Sequence, residues 1–292
     1  MKRRHFVAAA LACAVLPAAG ATAERFGHGR LWRVSRPEAA ASHVFGTIHS
    51  GDARVAQLPA PVEHEFRRAH SLMVEFVPDR YTRERFFEAA LLPQQQTLEQ
   101  LIGHDDFERA VERLRPAGLS RELVSKLKPW SVLLNLRDPG HARGVPIDDQ
   151  LVERAQARHI PFSQIEGVEE QIFTFDEFPL DSQVALLKHS LAHSEELLAL
   201  SEETLRAYLA GDLAQIWKLR EAFAMRYPEL APHHAVMTKR VIYDRSVVMA
   251  FRMQRELRRG QAFVALGALH LFGEKGVLAL LERDGYRATR VL

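Results

Sequence analysis

The sequence predicts an α/β protein with a central, mainly parallel mixed β-sheet flanked by helices. Short apolar runs of strand length recur along the chain, separated by stretches in which apolar residues have helical spacing. Two of these runs carry the same motif, Gly-x-x-His, and each ends at its histidine. An early strand–helix–strand order favours parallel pairing through a right-handed crossover. Together these observations indicate an open sheet with helices on its faces.

The predicted elements follow the apolar pattern in chain order. The strands are expected at residues 31–34, 43–48, 71–76, 160–165, 262–269 and 286–291. The first two form a strand pair joined by a turn, and a helix at 58–69 leads to the third strand. Later helices are expected at about 149–157, 168–175, 180–200, 202–225, 233–258 and 276–283.

Residues from 82 to about 136 have helical spacing without a strand-like run. Four helices are expected there, punctuated by Pro93, Pro116, Gly118 and Pro129. We interpret this stretch as a helical insertion on one side of the sheet. The mature chain, residues 24–292, is then a single α/β domain that contains this insertion.

The first 23 residues are predicted to be a signal peptide. The basic tripeptide Lys2-Arg3-Arg4 precedes an apolar run, and Ala21-Thr22-Ala23 is an A-x-A cleavage site. We therefore expect a periplasmic or secreted protein. The paired arginines also resemble a twin-arginine signal, so that route and the ordinary secretory route both stay open.

Composition excludes several classes of function. The single cysteine, Cys13, lies in the signal peptide, so the mature chain has no thiol for a disulfide, a nucleophile or a thiolate metal site. Loss of the signal removes three basic and no acidic residues and changes the formal net charge from +2 to −1. Nucleic-acid binding is therefore not expected. No later run is long and apolar enough to span a membrane.

Known catalytic sequence motifs narrow the classes further. The chain lacks a G-x-S-x-G elbow, a phosphate-binding glycine loop and a dinucleotide fingerprint. Serine hydrolases, P-loop enzymes and Rossmann oxidoreductases are accordingly disfavoured.

The repeated motif supplies the candidate site. His49 and His270 end two predicted strands, and Gly46 and Gly267 precede them by three residues. Ligands bind outside the carboxyl ends of strands in open α/β sheets, so parallel neighbours would direct both histidines into one crevice. A residue without Cβ lets a backbone or ligand approach closely there. Glu75, near the end of the third strand, adds a carboxylate.

Two imidazoles and a carboxylate with one open position are a common set for a divalent metal that activates water. We therefore predict His49, His270 and Glu75 as metal ligands, with Glu75 also a candidate base. A metal-free site in which a histidine acts as the general base remains the alternative.

Three further polar residues lie at or near element ends. Arg245 precedes the last histidine strand, where it could bind a substrate carboxylate or stabilise an oxyanion, although a surface arginine is the simpler interpretation. Asp148 and Glu166 could support the ligands, and helix capping explains Asp148 equally well.

A second histidine pair, His189 and His193, has i, i+4 spacing on a predicted helix. The glutamate of the H-E-x-x-H zinc motif is missing, because serine follows His189. The surrounding leucines make an ordinary amphipathic helix the better interpretation.

The motifs together resemble the TraB/GumN family over nearly all of the mature chain. The matching segments are, in order, Phe45-Gly46-Thr47-Ile48-His49, Val74-Glu75, Lys128-Pro129-Trp130, Ile147-Asp148, Ile165-Glu166-Gly167-Val168-Glu169-Glu170-Gln171, Asp244-Arg245-Ser246, Ala265-Leu266-Gly267-Ala268-Leu269-His270-Leu271 with Gly273-Glu274, and Gly285-Tyr286. Their order and spacing are specific. The chain departs from the family pattern at Ser246, where asparagine is usual, at Pro146-Ile147-Asp148, where Gly-x-Asp is usual, and at Ile165-Glu166-Gly167, where Leu-Glu-Thr is usual.

The resemblance implies a fold similar to the erythromycin-esterase/ChaN-like group, with the two Gly-x-x-His motifs and the glutamate forming the site. Tiki members of the family are described as divalent-metal-dependent proteases, which implies manganese or cobalt rather than zinc. Carried over by position, His49, Glu75 and His270 form the site, and Arg245 becomes a site residue.

The sequence thus predicts a periplasmic, metal-dependent hydrolase, most simply a peptidase with a peptide or protein substrate. Two alternatives remain open. One is a non-catalytic protein that binds a peptide or haem in the same crevice. The other is an accessory factor in envelope or exopolysaccharide biogenesis, which the GumN side of the resemblance suggests.

Overall fold

A computed structural model of the chain describes residues 26–77, 79–136 and 144–292. The predicted signal peptide, residues 1–23, lies outside the described residues. Six strands form one sheet: β1 (Leu31–Ser35), β2 (Ser42–Thr47), β3 (Ser71–Val74), β4 (Phe162–Gln164), β5 (Ala262–Gly267) and β6 (Arg287–Arg290).

The strand order is β4-β3-β5-β2-β1-β6. Strand β5 pairs in parallel with both β2 and β3, and β3 pairs in parallel with β4. Strand β1 is antiparallel to both of its neighbours, β2 and β6. The predicted fold class, a mainly parallel mixed sheet flanked by helices, is confirmed.

The two Gly-x-x-His strands are neighbours in this sheet. Strand β3 runs parallel to β2, as the early crossover predicted, but β5 from the far end of the chain lies between them. In the register of the pair, Gly46 lies opposite Leu266 and Thr47 opposite Gly267. The two motifs therefore leave the sheet at the same edge and at nearly the same level.

The helices surround the sheet and are numbered here in chain order. They are α1 (Ala53–Ala56), α2 (Ala60–Arg68), α3 (Arg80–Ala89), α4 (Leu98–Ile102), α5 (His104–Leu114), α6 (Arg121–Lys126), α7 (Pro129–Leu136), α8 (Ile147–Ala157), α9 (Val168–Asp176), α10 (Leu180–Ala192), α11 (Ser194–Leu209), α12 (Leu213–Arg226), α13 (Ala231–Thr238), α14 (Arg245–Arg252), α15 (Gln254–Arg259) and α16 (Val277–Arg283). A π-helical segment, Lys239–Asp244, joins α13 to α14.

Side chains on alternate positions of the strands enter different cores, as strand geometry requires. Val44 and Val264 belong to one apolar cluster, whereas Phe45 and Phe263 belong to a second one. The ring of Phe66 in α2 packs edge-on against Phe263 at 5.5 Å between centroids. Each fully buried side chain of this size contributes about 1.5–3 kcal/mol, so both layers hold the central strands in register.

The helices between residues 80 and 136 build a cluster of their own. Its members include Phe107, Leu114 and Trp130, together with Leu187 and Leu191 from α10. Local signals fix several of the helix starts: Asp79 caps α3, and Thr97 forms a capping box with Gln100 at α4. The division of the mature chain into one domain with an insertion stays a prediction.

Several predicted boundaries were wrong. The strands expected to reach residues 48, 76 and 269 end at Thr47, Val74 and Gly267, and a 3₁₀ turn, Ala268–His270, follows β5. The expected helices at 180–200 and 233–258 are each divided into shorter segments. In the described part of the chain, no helix is both long and apolar enough to cross a lipid bilayer.

Candidate functional site

The candidate site lies at the carboxyl edge of β3, β5 and β2. Glu75 is the first residue after β3, and His270 ends the 3₁₀ turn after β5. The side chain of His270 is 6% exposed, and its Nε2 lies 3.8 Å from Glu75 Oε1. His49, two residues beyond β2, is 75% exposed at its side chain. One histidine is therefore buried against a carboxylate, and the other faces solvent.

A buried serine determines the proton position on His270. Ser246 Oγ donates to the Ile242 carbonyl at 2.7 Å and lies 2.9 Å from His270 Nδ1. The single hydroxyl hydrogen is used by the carbonyl, so Nδ1–H of His270 must donate to Oγ. The lone pair of the neutral imidazole is then on Nε2, the nitrogen nearest Glu75.

Burial lowers the pKa of His270 to about 4. Nearby Glu75 opposes this effect, whereas Arg245 adds to it. At neutral pH the imidazole is therefore uncharged, which is the form that binds a metal ion.

Glu75 is held as an anion. Burial favours its neutral form, but the charge of Arg245 and the N–H of Gly267 favour the anion, and the net effect is a lowered pKa of Glu75. Gly267 donates its N–H to Oε1 at 2.6 Å, and Arg245 Nη2 donates to Oε2 at 2.6 Å. A carboxylate with a lowered pKa is a weak general base, so this environment suits a ligand better than a base.

The second Gly-x-x-His glycine leaves room for that carboxylate. A Cβ on Gly267 would lie 3.1 Å from Glu75 Oε1 and 3.5 Å from His270 Cδ2. At the first glycine, a Cβ on Gly46 would lie 2.8 Å from Leu271 Cδ1. Both glycines are therefore closely approached by other groups. Gly267 is approached by Glu75 and His270 of the site, and Gly46 by Leu271, which follows the 3₁₀ turn.

Arg245 bridges two carboxylates. Its side chain is 13% exposed, and its Nε and Nη2 donate to Glu166 at 2.6–3.1 Å in addition to the bond with Glu75. Glu166 is 3% exposed, and its backbone N–H donates to the Glu75 carbonyl at 2.9 Å. Arg245 is not a surface residue, and these contacts direct its guanidinium at Glu75 and Glu166 rather than at an open crevice.

His49 has its own carboxylate partner. Its Nδ1 lies 3.7 Å from Asp148 Oδ2, and the proximity of this carboxylate raises the pKa of His49. Asp148 Oδ1 accepts a hydrogen bond of 2.7 Å from Thr47 Oγ1. Helix capping does not explain Asp148, because α8 begins after Pro146 without a side-chain cap. The backbones of Gly51 and Gly144 are in contact and leave no space for a Cβ, which holds this loop against the start of α8.

The predicted residues thus form two groups. His270, Glu75, Arg245 and Glu166 are connected by contacts, whereas His49 and Asp148 form a separate pair that is influenced by the charge of Glu75. Among the residues that the structure describes, no three His, Cys, Asp or Glu side chains are arranged as a metal-binding group.

The donor chemistry nevertheless fits a divalent cation. The unprotonated Nε2 of His270 lies beside an anionic oxygen of Glu75, an arrangement that a cation between them would stabilise. Asp148 Oδ2 is buried without a hydrogen-bond partner, which is costly unless a further group binds it. The residues therefore supply ligands as two pairs rather than as one assembled group.

Ser246 is the site residue that sequence reasoning missed. It is fully buried between Ile242 and His270, yet in the sequence it stood out only as a departure from the family pattern. Its position directly after Arg245 was the available signal. The π-helical segment before Arg245 is a second signal, visible only in the structure, since such segments are frequent at functional sites.

A model of the TraB/PrgY/gumN family matches residues 30–290 of the chain. The protein belongs to this family. The match spans the two Gly-x-x-His strands, Glu75, Arg245 and the supporting carboxylates, and the resemblance read from the motifs is confirmed.

Two kinds of curated relative are similar to this family member. The uncharacterised protein YbaP of Escherichia coli is 27% identical over 82% of this chain and 87% of its own length. Metalloprotease TIKI2 of Danio rerio is 25% identical over 88% of this chain and 60% of its own length. Metalloprotease TIKI1 of Homo sapiens is 24% identical, with the same coverage of each chain. No solved structure matches the chain significantly.

Proposed function

We propose that this protein is a metal-dependent hydrolase that cleaves peptides, with His49, His270 and Glu75 as ligands of a divalent cation. Family membership and the similarity to proteins named metalloproteases support the proposal. The resemblance favours manganese or cobalt over zinc. Residues 1–23 have the pattern of a signal peptide, and on that ground we propose that the mature protein is periplasmic or secreted.

The observation that carries the proposal is the contact between His270 and Glu75. A neutral imidazole nitrogen lies 3.8 Å from a carboxylate oxygen, at the ends of adjacent parallel strands. The hydrogen bond to Ser246 and the glycine at position 267 keep both atoms in place. These are the contacts that orient a metal ligand before the ion binds.

Each residue then has a defined task. When bound, a divalent cation lowers the pKa of a water molecule and polarises a carbonyl group. Arg245 keeps Glu75 ionised and fixes one of its oxygens. His49 is the exposed member of the proposed ligand set, and Asp148 lies beside its imidazole.

The first test is the metal content of residues 24–292 by elemental mass spectrometry. We expect near-stoichiometric divalent metal in the wild type and its loss in the double variant His49→Ala/His270→Ala. The matched control is His189→Ala/His193→Ala, which removes a histidine pair of the same size elsewhere and should leave the metal content unchanged. A wild type that is metal-free, and that binds no added manganese, cobalt or zinc, would contradict the proposal.

The second test is hydrolysis of a quenched-fluorescent peptide library by the metal-loaded protein. Cleavage should disappear in Glu75→Gln, which keeps the shape of the side chain but removes its charge. Cleavage that persists unchanged in this variant would exclude Glu75 from the reaction.

A non-catalytic peptide-binding protein is the second candidate. The arrangement of the ligands as two separate pairs favours it, because no three-ligand group is assembled in the described residues. Peptides that are retained without cleavage in the presence of manganese, cobalt or zinc would support this candidate over the hydrolase.

A further inference from the structure

A cavity of about 380 Å³ lies beside the candidate site. Phe76 lines it and directly follows Glu75 in the chain. Gln171 also lines it, on helix α9, which begins just after Glu166. The two segments that carry the site carboxylates therefore continue into the cavity wall.

The rest of the wall comes from the helices at residues 80–136. The apolar lining residues are Phe76, Phe86, Phe87, Ala90, Leu119, Leu127 and Leu134. Polar atoms come from Thr82, Ser131, Asn135 and Gln171, and Arg83 is the charged residue of the lining.

Two neighbouring phenylalanines of the wall differ in their surroundings. Phe86 belongs to an aromatic cluster in which its ring lies 5.3 Å from Trp130 and 6.2 Å from Phe175, between centroids. Phe87 is 51% exposed, which leaves a large apolar surface in water. Covering that ring with apolar groups is favourable by about 25 cal/mol per Å².

We propose that this cavity binds an apolar side chain, aromatic or branched aliphatic, of the peptide substrate next to the bond that is cleaved. The proposal rests on the hydrolase function above and names its substrate class. Consecutive residues of an extended peptide lie about 3.8 Å apart, so a residue near the reacting carbonyl can place its side chain beyond Phe76. The volume falls within the range of about 300–1,000 Å³ found for ligand pockets.

The wall chemistry selects against cationic side chains. An ammonium group that enters between the phenylalanine and leucine side chains loses its hydration, and Arg83 of the lining adds a like charge. We therefore expect discrimination by side-chain polarity rather than by sequence over many positions.

The test is the cleavage of a peptide library in which each position around the cleaved bond is varied. At one position, Phe, Leu or Met should be preferred over Lys and Gly by about tenfold or more in kcat/KM. Phe87→Ala should reduce that preference about tenfold, mainly through KM, and Phe87→Lys should shift it toward acidic residues. The matched control is Tyr81→Ala, because Tyr81 is on the same helix and 61% exposed but does not line the cavity.

A binding measurement separates this proposal from the hydrolase function. N-acetyl-L-phenylalaninamide is titrated into methyl-labelled protein, and the leucine methyl signals of the wall, those of Leu119, Leu127 and Leu134, are followed by NMR. N-acetyl-L-alaninamide serves as the small control ligand. The wall methyl signals should shift with the phenylalanine compound and not in Phe87→Lys.

The outcomes distinguish the two ideas. Wall shifts without any peptide cleavage would support the cavity proposal while the hydrolase function fails. Cleavage without an apolar preference at any position, or the absence of wall shifts, would overturn the cavity proposal while the hydrolase function stands.

Discussion

Two histidine pairs occupy different environments in this protein, and the difference lies in the groups that surround each pair. His49 and His270 come from separate strands and each lies beside a carboxylate, Asp148 and Glu75 respectively. His189 and His193 are four residues apart near the end of α10, and their rings stack at 4.4 Å between centroids. The first pair has charged partners that define protonation, whereas the second is packed mainly among rings.

The helical pair has the contacts of an aromatic cluster. The ring of Tyr227 lies 4.2 Å from His189 and 4.8 Å from His193, between centroids. Its hydroxyl donates to Glu196 at 2.6 Å and lies 3.1 Å from His193 Nδ1. His189 Nε2 is buried without a hydrogen-bond partner. The i, i+4 spacing on a helix brings these histidines together, but their contacts with neighbouring rings indicate a role in packing.

The largest expected effect concerns the arginine that serves the strand-end pair. Arg245→Ala leaves the buried Glu166 and the half-buried Glu75 without their cation, which should cost about 3–5 kcal/mol of unfolding free energy. The matching variant near the helical pair is Arg226→Ala, whose ion pair with Glu196 involves an arginine that is 61% exposed. That loss should be about 0–1 kcal/mol. Urea unfolding measures both, and equal losses would mean that the Arg245 network is not a buried charge cluster.

The next largest expected loss of stability comes from a substitution at Gly267, whose N–H donates to Glu75. In Gly267→Ala the new Cβ would crowd Oε1 of Glu75, and we expect a cost of about 1–3 kcal/mol together with reduced metal binding. Gly167→Ala is the control, because its Cβ would meet only Glu170 Oε2 at an ordinary 3.7 Å. Unfolding and metal titration of the two variants provide the comparison. Wild-type metal affinity in Gly267→Ala would show that Glu75 tolerates displacement.

A smaller effect is expected for the serine that orients His270. Ser246→Ala removes the acceptor of the Nδ1–H bond, at a cost of about 1–2 kcal/mol. Two-bond proton–nitrogen NMR should show Nδ1–H alone in the wild type and a mixture with Nε2–H in the variant. Ser190→Ala is matched, since Ser190 makes the same bond to the carbonyl four residues earlier, to Leu186 at 2.7 Å. An unchanged His270 tautomer in Ser246→Ala would refute the assigned role.

The smallest expected effect is the pH dependence of stability that His189 of the helical pair causes. Burial, together with the charge of His193, lowers the pKa of His189 below 6.5, and Glu229 only partly opposes this. As the pH falls, His189 therefore binds a proton in the unfolded chain at a higher pH than in the folded protein. Its contribution to the free energy of unfolding is fully present above about pH 6.5 and is lost on acidification. His189→Gln should lose less stability between pH 8 and pH 5 than the wild type does. Urea midpoints at both pH values test this, and parallel curves would contradict it.

Much of the fold could be predicted from the sequence, because strands and helices depend on the local spacing of apolar residues. All six strand-like apolar runs became strands, and the four helices expected at residues 82–136 became five, α3 to α7, because the last one is divided before Pro129. The condition under which the two Gly-x-x-His motifs share an edge of the sheet, that their strands are parallel neighbours, is met. The strand ends were missed, because hydrophobic runs continue into the turns that bury Ile48 and Ala268 against the core.

The candidate site could be predicted only in part. Its residue types were predicted, but no pattern in the chain indicated that Arg245 would bind Glu75, 170 positions away, and Glu166, 79 positions away. Nor did it show that Ser246 would hold His270. Ion pairs of this kind produce no periodic pattern in the sequence, because each depends on where one side chain lies relative to a distant helix or strand.

The sequence by itself determined which segments become strands and helices, where glycine permits close approach, and to which family the chain belongs. The tertiary structure decided the order of the strands, with β5 between β2 and β3, and through it the contact of His270 with Glu75. It also decided the protonation of His270 and Glu75. The physical reason is that pKa values and hydrogen-bond directions follow from burial and from neighbours that are distant in the chain.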